Sequence, residues 1–193
     1  FEVTFGALLL GLIIGTLIAV VRTSHDQQAN GRTSIVMSVL NVICKIYTTV
    51  IRGTPMMVQL LIMGFVVFSM SRNLLMIAIL TLGINSGAYV SETIRSGIMS
   101  IDKGQMEAGR SLGLSYVSTM GQIIVPQAIK NILPALGNEF IALLKETSIV
   151  NVVGMVDITK WAIQVQGRTY QAFMPYFGIA GIYLLMVIVL SKL

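Results

Sequence analysis

The sequence predicts an all-α integral membrane protein with about five transmembrane helices. Hydrophobic residues make up 55% of the 193 residues and charged residues only 11%, whereas soluble domains carry about 25% charged residues. The longest apolar runs reach about 18 residues, which in a helix span about 27 Å and so match the hydrocarbon core of a bilayer. Helices are expected because lipid offers backbone polar groups no hydrogen-bond partner outside the segment.

Five apolar segments carry this prediction, and they cover residues 4–21, 56–70, 74–99, 135–155 and 172–190. Pro134 and Pro175 lie at the starts of the last two, where proline fits the first turn of a helix. The chain begins at Phe1 rather than at methionine, so we expect a short segment to precede it. A single transmembrane domain over residues 1–193 is predicted.

A further helix, over residues 35–51, is predicted to differ from these spans because one side of it is polar. The polar residues recur every three or four positions; they are Ser34, Ser38, Asn41, Lys45, Thr48 and Arg52. Such a stripe indicates a helix at the cytoplasmic interface or against another subunit. Thr54 is then expected to cap a new helix with Pro55 at its first position. Alternatively, residues 35–51 and 56–70 form one tilted helix that is kinked at residues 53–55.

The lysine and arginine residues indicate how the chain is oriented. Those assigned to the cytoplasmic side are Arg22, Arg32, Lys45, Arg52, Arg95, Lys103, Arg110, Lys130 and Lys192, and those assigned to the outer side are Arg72, Lys160 and Arg168. This excess follows the positive-inside rule, and it places the N-terminus outside and the C-terminus on the cytoplasmic side of the membrane. The formal net charge of +5 is therefore read as an orientation signal, and we expect no nucleic-acid partner.

Residues 100–126 contain no apolar run long enough to cross a bilayer, and they are predicted to form two short helices on the cytoplasmic side. Asp102 and Gln105 have the spacing of a capping box at the start of the first helix. Gly113 suits the left-handed position that follows this helix, and Ser115 can cap the second helix.

Small residues on the first of these helices, Ala108 and Gly109, let a partner approach its backbone closely. Glu107 and Arg110 lie three apart on one face. The second helix is expected to end at Pro126. We interpret the two helices as a docking element between membrane spans.

Two groups of polar residues fall near the middle of predicted spans. Asn85, Tyr89 and Glu92 are spaced four and three apart and share one helix face, and Lys145 begins a run of four polar residues that indicates a local break or a lined cavity. Charged groups at this depth normally face protein or water. The candidate substrate-binding residues are Asn85, Ser86, Tyr89, Glu92, Lys145, Glu146, Thr147 and Ser148. The alternative is an ion-pair network of Lys145 with Glu92 or Glu146 that only fixes helix packing.

The polar loop also carries a family resemblance. Glu107-Ala108-Gly109, Gly113 and Ile123-Ile124-Val125-Pro126 resemble the EAA loop of bacterial ABC-importer permeases. Gly109 stands where the motif has alanine, a small-for-small change that we expect to preserve close packing. Five further segments are similar to the polar amino-acid permease subfamily; they are Arg52-Gly53-Thr54-Pro55, Gly87-Ala88-Tyr89-Val90-Ser91-Glu92, Pro126-Gln127-Ala128, Leu136-Gly137-Asn138-Glu139-Phe140 and Lys145-Glu146-Thr147-Ser148.

The resemblance implies the type I ABC importer permease fold, with residues 100–126 as its coupling-helix loop. It implies no catalytic residue, metal or cofactor in this chain, because ATP and Mg²⁺ are bound by two partner ATPase subunits in the cytoplasm. The other partners are a second permease chain, expected to be identical, and an extracytoplasmic amino-acid-binding protein. The residues expected to dock on the ATPase are Gln105, Glu107, Ala108, Gly109, Arg110, Ser111, Leu112 and Gly113. The sequence itself has no glycine-rich Lys-Ser/Thr phosphate loop.

By the same resemblance, the substrate is a polar amino acid that is moved by alternating access. Glu92 and Glu146 against Lys145 leave one net negative charge if all three are ionised and unpaired elsewhere, which favours arginine, lysine or histidine. Glutamine and glutamate stay open as substrates. Two other classes also stay open: half of a proton-coupled secondary transporter that uses Glu92 as its carboxylate, and a membrane scaffold without transport.

Overall fold

The computed structural model describes residues 1–28 and 34–192. Within these residues the regular structure is helical, which confirms the predicted all-α class. The helices are α1 (Glu2–Gln28), α2 (Ile35–Gly53), α3 (Met56–Ile62), α4 (Leu74–Met99), α5 (Lys103–Ser111), α6 (Tyr116–Thr119), α7 (Val125–Glu146), α8 (Ile158–Thr169) and α9 (Phe173–Leu190). Three of them continue directly into a turn of different pitch: α3 into a π turn (Met63–Val67), α6 into a π turn (Met120–Ile124) and α7 into a 3₁₀ turn (Thr147–Val153).

α4 is the central helix, because α1 and α7 both pack along it. In its most apolar stretch 61% of the residues are buried, compared with 33% in α1 and 0% in α9. Glycines let α1 and α4 approach closely: a Cβ on Gly15 would lie 2.5 Å from Val90 Cγ1, and a Cβ on Gly87 would lie 2.9 Å from Ile14 Cγ2. Side chains at these positions would force the two helices apart, so the glycines set their spacing.

Four helices in the described part of the chain are long and apolar enough to cross a membrane: Glu2–Asp26, Ile35–Gly53, Leu74–Met99 and Phe173–Leu190. Three of the five predicted spans coincide with the first, third and last of these. The predicted span 56–70 is a shorter apolar helix over Met56–Val67. The predicted span 135–155 belongs to α7 and its 3₁₀ turn, where polar and charged residues interrupt the apolar ones.

α2 is one of these four helices. Polar residues on one side of it contact the protein, and its apolar side faces outward. Asn41 Nδ2 lies 3.1 Å from His25 Nδ1 of α1. The Tyr47 hydroxyl donates to the Ile84 carbonyl of α4, and Thr48 is buried. The exposed apolar residues of α2 are Ile35, Val36, Val39, Leu40, Val42, Ile43, Ile46 and Val50. Part of the stripe therefore contacts α1 and α4 of the same chain, and the outward side is suited to lipid.

A true break separates α2 from α3. Gly53 ends α2, and Thr54 and Pro55 are extended, with ψ of 144° and 136°, so the alternative of one continuous kinked helix is wrong. The predicted cap is also wrong, because the Thr54 hydroxyl donates back to the Val50 carbonyl at 2.9 Å and Pro55 directly precedes the first helical residue, Met56. Thr54 therefore satisfies the end of α2 instead of the start of α3.

α5 forms most of the caps that the sequence predicts. Asp102 Oδ1 accepts from a backbone N–H of the first turn at 2.6 Å, but the Gln105 side chain is exposed and makes no hydrogen bond among the described residues, so only half of the capping box forms. Gly113 adopts a φ of +84°, its N–H bonds to the Arg110 carbonyl at 3.0 Å, and the next N–H bonds to the Gly109 carbonyl at 3.1 Å. This pattern is a Schellman motif.

The chain after α5 differs from the prediction at its prolines. Ser115 caps α6 as predicted, with its Oγ accepting a backbone N–H at 3.2 Å. Pro126 does not end the helix, because helical structure runs without a gap from residue 116 to residue 153. Proline lacks an N–H and its ring crowds an earlier carbonyl, and the wider π turn just before α7 accommodates both. Pro134 lies inside α7, which therefore starts well before the predicted residue 135.

Candidate functional site

A polar contact lies where the break between α2 and α3 meets α4. Gln59 of α3 donates through Nε2 to the Ile51 carbonyl at 2.7 Å and to Thr54 Oγ1 at 2.8 Å, so its amide spans the break. The Oε1 atom of Gln59 accepts from Asn85 Nδ2 of α4 at 2.9 Å. Asn85 is therefore buried with a partner, on the side of α4 that faces the break.

The next turn of α4 carries a second contact with α2. The guanidinium carbon of Arg52 lies 5.1 Å from the centroid of the Tyr89 ring, which is cation–π geometry. Tyr89 remains 37% exposed and Arg52 is exposed, in contrast to Asn85 at 4%. On this face of α4, Asn85 is therefore shielded, whereas Tyr89, one turn further along the helix, is accessible to another molecule.

The predicted residue Ser86 faces a different neighbour from Asn85. Its Oγ donates to Glu139 Oε1 of α7 at 3.1 Å, and Ser86 is 1% exposed. Glu146, one of the predicted site residues, interacts electrostatically with both Glu139 and Lys145. Between residues 139 and 146, α7 therefore carries two carboxylates and one ammonium group, and one of the carboxylates is hydrogen-bonded to α4.

Within the run that begins at Lys145, the helix changes pitch without a gap. The α-helix changes to 3₁₀ geometry at Thr147, whose hydroxyl donates to the Leu144 carbonyl at 2.7 Å. The Ser148 carbonyl accepts from Asn151 Nδ2 at 2.5 Å. Lys145 itself is exposed, and no ion pair within 4.0 Å involves it among residues 1–28 and 34–192. Among the described residues, Lys145 therefore forms no ion pair with Glu92 or Glu146, the pairing that the alternative required.

Glu92 belongs to a four-ion cluster at the end of α4 that leads to α5. Glu92 Oε2 accepts from Arg22 Nη1 of α1 at 2.7 Å, and Glu92 Oε1 accepts from Arg95 Nη2 at 2.5 Å. Arg95 Nη1 also pairs with Asp26 Oδ2 at 3.0 Å. Because two guanidinium groups neutralise Glu92, the charge count that assumed it to be unpaired does not hold.

The predicted docking residues lie on α5 and in the turn after it, and all but one of them are exposed. Those that are exposed are Gln105, Glu107, Ala108, Arg110, Ser111, Leu112 and Gly113. Gly109 is buried, and a Cβ there would lie 2.6 Å from Thr119 Cγ2 and 3.2 Å from Ile123 Cδ1. Gly109 is therefore not available to a docking partner. Its small size instead lets α5 pack on α6 and the π turn, more closely than alanine permits.

α5 stands away from the ends of the long helices. A cavity of about 410 Å³ separates it and α6 from the ends of α1 and α4, with Asp26, Asp102, Arg110 and Tyr116 among its lining residues. Burial raises the pKa of the Tyr116 phenol above its ordinary value. α5 packs against α6 and the π turn, so it is not buried among the candidate spans.

The same arrangement is found in one family of membrane proteins. The family model for the inner membrane component of binding-protein-dependent transport systems matches residues 7–193. The chain belongs to this family. The permease is 39% identical over 188 residues to the putative glutamine transport system permease protein GlnP of Rickettsia typhi, covering 96% of this chain and 81% of that relative. It is 42% identical over 152 residues to the arginine transport system permease protein ArtQ of Bacillus subtilis, covering 77% of this chain and 69% of that relative.

A solved structure confirms the predicted type I ABC importer permease fold. The permease matches a chain in the crystal structure of an amino acid ABC transporter with histidines at a TM-score of 0.87 and 44% identity, covering 99% of this chain and 85% of that chain. The permease is thus a multi-pass membrane component of an ABC importer and not itself a catalytic subunit. Because the chain belongs to this family, the two other classes that the sequence left open, a secondary transporter half and a scaffold, no longer apply.

Three residues of the permease join the candidate site although the sequence did not place them there. Gln59 is the one amide side chain in the apolar helix α3. This was the sequence feature that could have pointed to a functional role. Arg52 was named for the polar stripe of α2, for its charge and for a family-like segment, but not as a site residue. Glu139 was named only within a family-like segment, and its hydrogen bond to Ser86 brings it beside a candidate residue.

Proposed function

We propose that the permease carries polar amino acids across the bacterial plasma membrane. Its similarity to permeases named for glutamine and for arginine transport, at 39% and 42% identity, carries this proposal. The polar groups on α4 and α7 support it, because an amino acid needs both anionic and cationic partners for its own two charges.

A cationic side chain is the first candidate for the substrate. Glu92 is neutralised by two arginines, but Glu146 interacts electrostatically with Glu139 as well as with its neighbour Lys145, so Glu139 takes the place of Glu92 in the charge count. Two carboxylates against one ammonium leave one net negative charge when all are ionised, which favours arginine, lysine or histidine. Glutamine is the second candidate, because the Rickettsia relative is named for it.

Among the predicted site residues, we assign substrate contact first to Tyr89 and Lys145, which are exposed on the inner helices. Glu146, Thr147 and Ser148 are half-buried beside Lys145 and are assigned to the same path. Asn85 and Ser86 are buried with partners and are proposed to support it from behind. Glu92 is proposed to hold helix ends together instead of binding substrate.

Residues 1–193 are proposed to act as one transmembrane domain with an outer N-terminus and an inner C-terminus. Two copies would pair, two ATPase subunits that bind ATP and Mg²⁺ would dock on the exposed side of α5, and an outer binding protein would deliver the substrate. Only three residues, 100–102, separate α4 from α5. A movement of α5 is therefore passed directly to the helix that carries Asn85 and Tyr89, and the site faces the two sides in turn.

Uptake measurements test the proposed function. The permease is reconstituted in proteoliposomes with its ATPase and its binding protein, and labelled arginine uptake is competed with histidine, glutamine and glutamate. Competition by histidine is expected to exceed competition by glutamine. Stronger competition by glutamine would select the second candidate, and uptake that survives ATP depletion but collapses with an uncoupler would contradict the ABC mechanism.

A further inference from the structure

The break between α2 and α3 leaves backbone groups without helical partners. The last carbonyls of α2 have no partner in the following turn, because the chain is extended at Thr54 and Pro55. Water is scarce at a membrane helix, so such groups must be satisfied by protein. A Cβ on Gly53 would meet no atom within 4 Å, so packing does not fix the chain at this point.

The side chain of Gln59 donates hydrogen bonds to the groups at the break. Gln59 Nε2 donates to the Ile51 carbonyl at 2.7 Å, to Thr54 Oγ1 at 2.8 Å and to the Thr54 carbonyl at 3.1 Å. The other end of the same amide accepts from Asn85 Nδ2 at 2.9 Å. Gln59 thus uses both of its donors and its acceptor, and it connects α2, α3 and α4.

Residues on both sides of the break contact α4. Arg52, at the end of α2, lies over the ring of Tyr89, while Gln59 of α3 holds Asn85 one turn away. We propose that Gln59 is a positioning residue that locks the break, so that α2, α3 and α4 move as one body during transport. The structural lock stands on geometry alone, and its consequence for transport rests on the proposed function.

A distance measurement tests the lock. Spin labels are placed on the exposed residues Ile43 of α2 and Val58 of α3, in a Cys44→Ala background of the assembled transporter. One narrow distance is expected with glutamine at position 59, and a broadened distribution is expected for Gln59→Leu. Each hydrogen bond lost is expected to raise the unlocked fraction about fivefold.

Two further variants make this test specific. Gln127→Leu is the matched control, because Gln127 Nε2 bonds only to the Ile123 carbonyl of the preceding turn at 2.8 Å, and it should leave the distance unchanged. Thr54→Val removes one acceptor and should broaden the distribution less than Gln59→Leu. If Gln59→Leu does not assemble, Thr54→Val decides. An unchanged narrow distance in whichever variant decides would overturn the lock.

The transport consequence is measured in proteoliposomes with the ATPase and binding protein present. Gln59→Leu is expected to raise the ATP hydrolysed per amino acid imported about fivefold, because ATPase turnover continues while α4 moves without α2. A parallel fall of turnover and uptake would indicate a merely structural residue and overturn the positioning role. Absence of amino-acid uptake with glutamine at position 59 would contradict the proposed function, and the distance result would still stand.

Discussion

Charged residues at the end of α4 that leads to α5 differ from Lys145 of α7 in whether they form ion pairs. At the end of α4 that leads to α5, Glu92 and Arg95 are paired with groups on α1. On α7, Lys145 is exposed and forms no ion pair within the described residues. Charges paired within the chain hold helices together, whereas we propose that the exposed charge of Lys145 meets the substrate.

The same contrast recurs between two neighbouring residues of α5. Gly109 is buried against Thr119, so its missing side chain serves the chain's own packing. Ala108, the residue before it, is exposed. The short motif around these residues therefore combines a folding position with a surface position, and only the surface position is free to meet a partner.

Removing Glu92 is expected to have the largest effect on stability. Glu92→Gln leaves Arg22 and Arg95 without their shared carboxylate, and uncompensated charges of this kind cost about 3 kcal/mol when partly buried. The free energy of unfolding of the purified permease in detergent measures this loss. Lys145→Gln is the matched control, and an equal loss in both variants would refute the distinction between paired and unpaired charges.

Filling the space at Gly109 is expected to cost somewhat less. Gly109→Ala places a Cβ 2.6 Å from Thr119 Cγ2, and overpacking of this kind costs about 2 kcal/mol. Gly137→Ala is the matched control, because a Cβ at that position of α7 meets no atom within 4 Å. Unfolding measurements should show a loss for the first variant and none for the second. Equal stability of both would show that α5 does not pack closely on α6.

Neutralising Lys145 is expected to affect transport without affecting stability. Lys145→Gln should lower uptake about tenfold, which corresponds to about 1.4 kcal/mol of lost interaction with an anionic group of the substrate. The unfolding free energy should change by no more than about 0.5 kcal/mol, because the lysine is exposed and forms no ion pair with any described residue. Unchanged uptake would remove Lys145 from the substrate path.

Local patterns predicted local structure well. The turn at Gly113 and the cap at Ser115 depend on residues within one or two turns of each other, and both formed as predicted. The partners of Glu92 were beyond such reasoning, because Arg22 lies 70 positions away in the chain and only the fold brings them together. Apolar runs located three of the spans for the same local reason.

The remaining errors concern how helices continue and which way they face. Pro126 was expected to stop a helix, but the π turn before it depends on backbone geometry that proline alone does not specify. The polar stripe of α2 revealed a face but not its direction, because spacing is the same whether the stripe meets water or protein. Gln59 was missed because its partners lie across a break that the sequence left open.

The smallest expected effect distinguishes Asp102 from Gln105, the two residues of the predicted capping box. Asp102→Ala removes an acceptor that is used within the chain, so it should cost about 1 kcal/mol and raise amide hydrogen exchange in the first turn of α5 about fivefold. Gln105→Ala should leave this exchange unchanged, because the Gln105 side chain has no partner among the described residues. Its effect is expected on the binding affinity for the ATPase. Faster exchange in Gln105→Ala would show that the box closes in solution and that Gln105 belongs with the folding residues of α5.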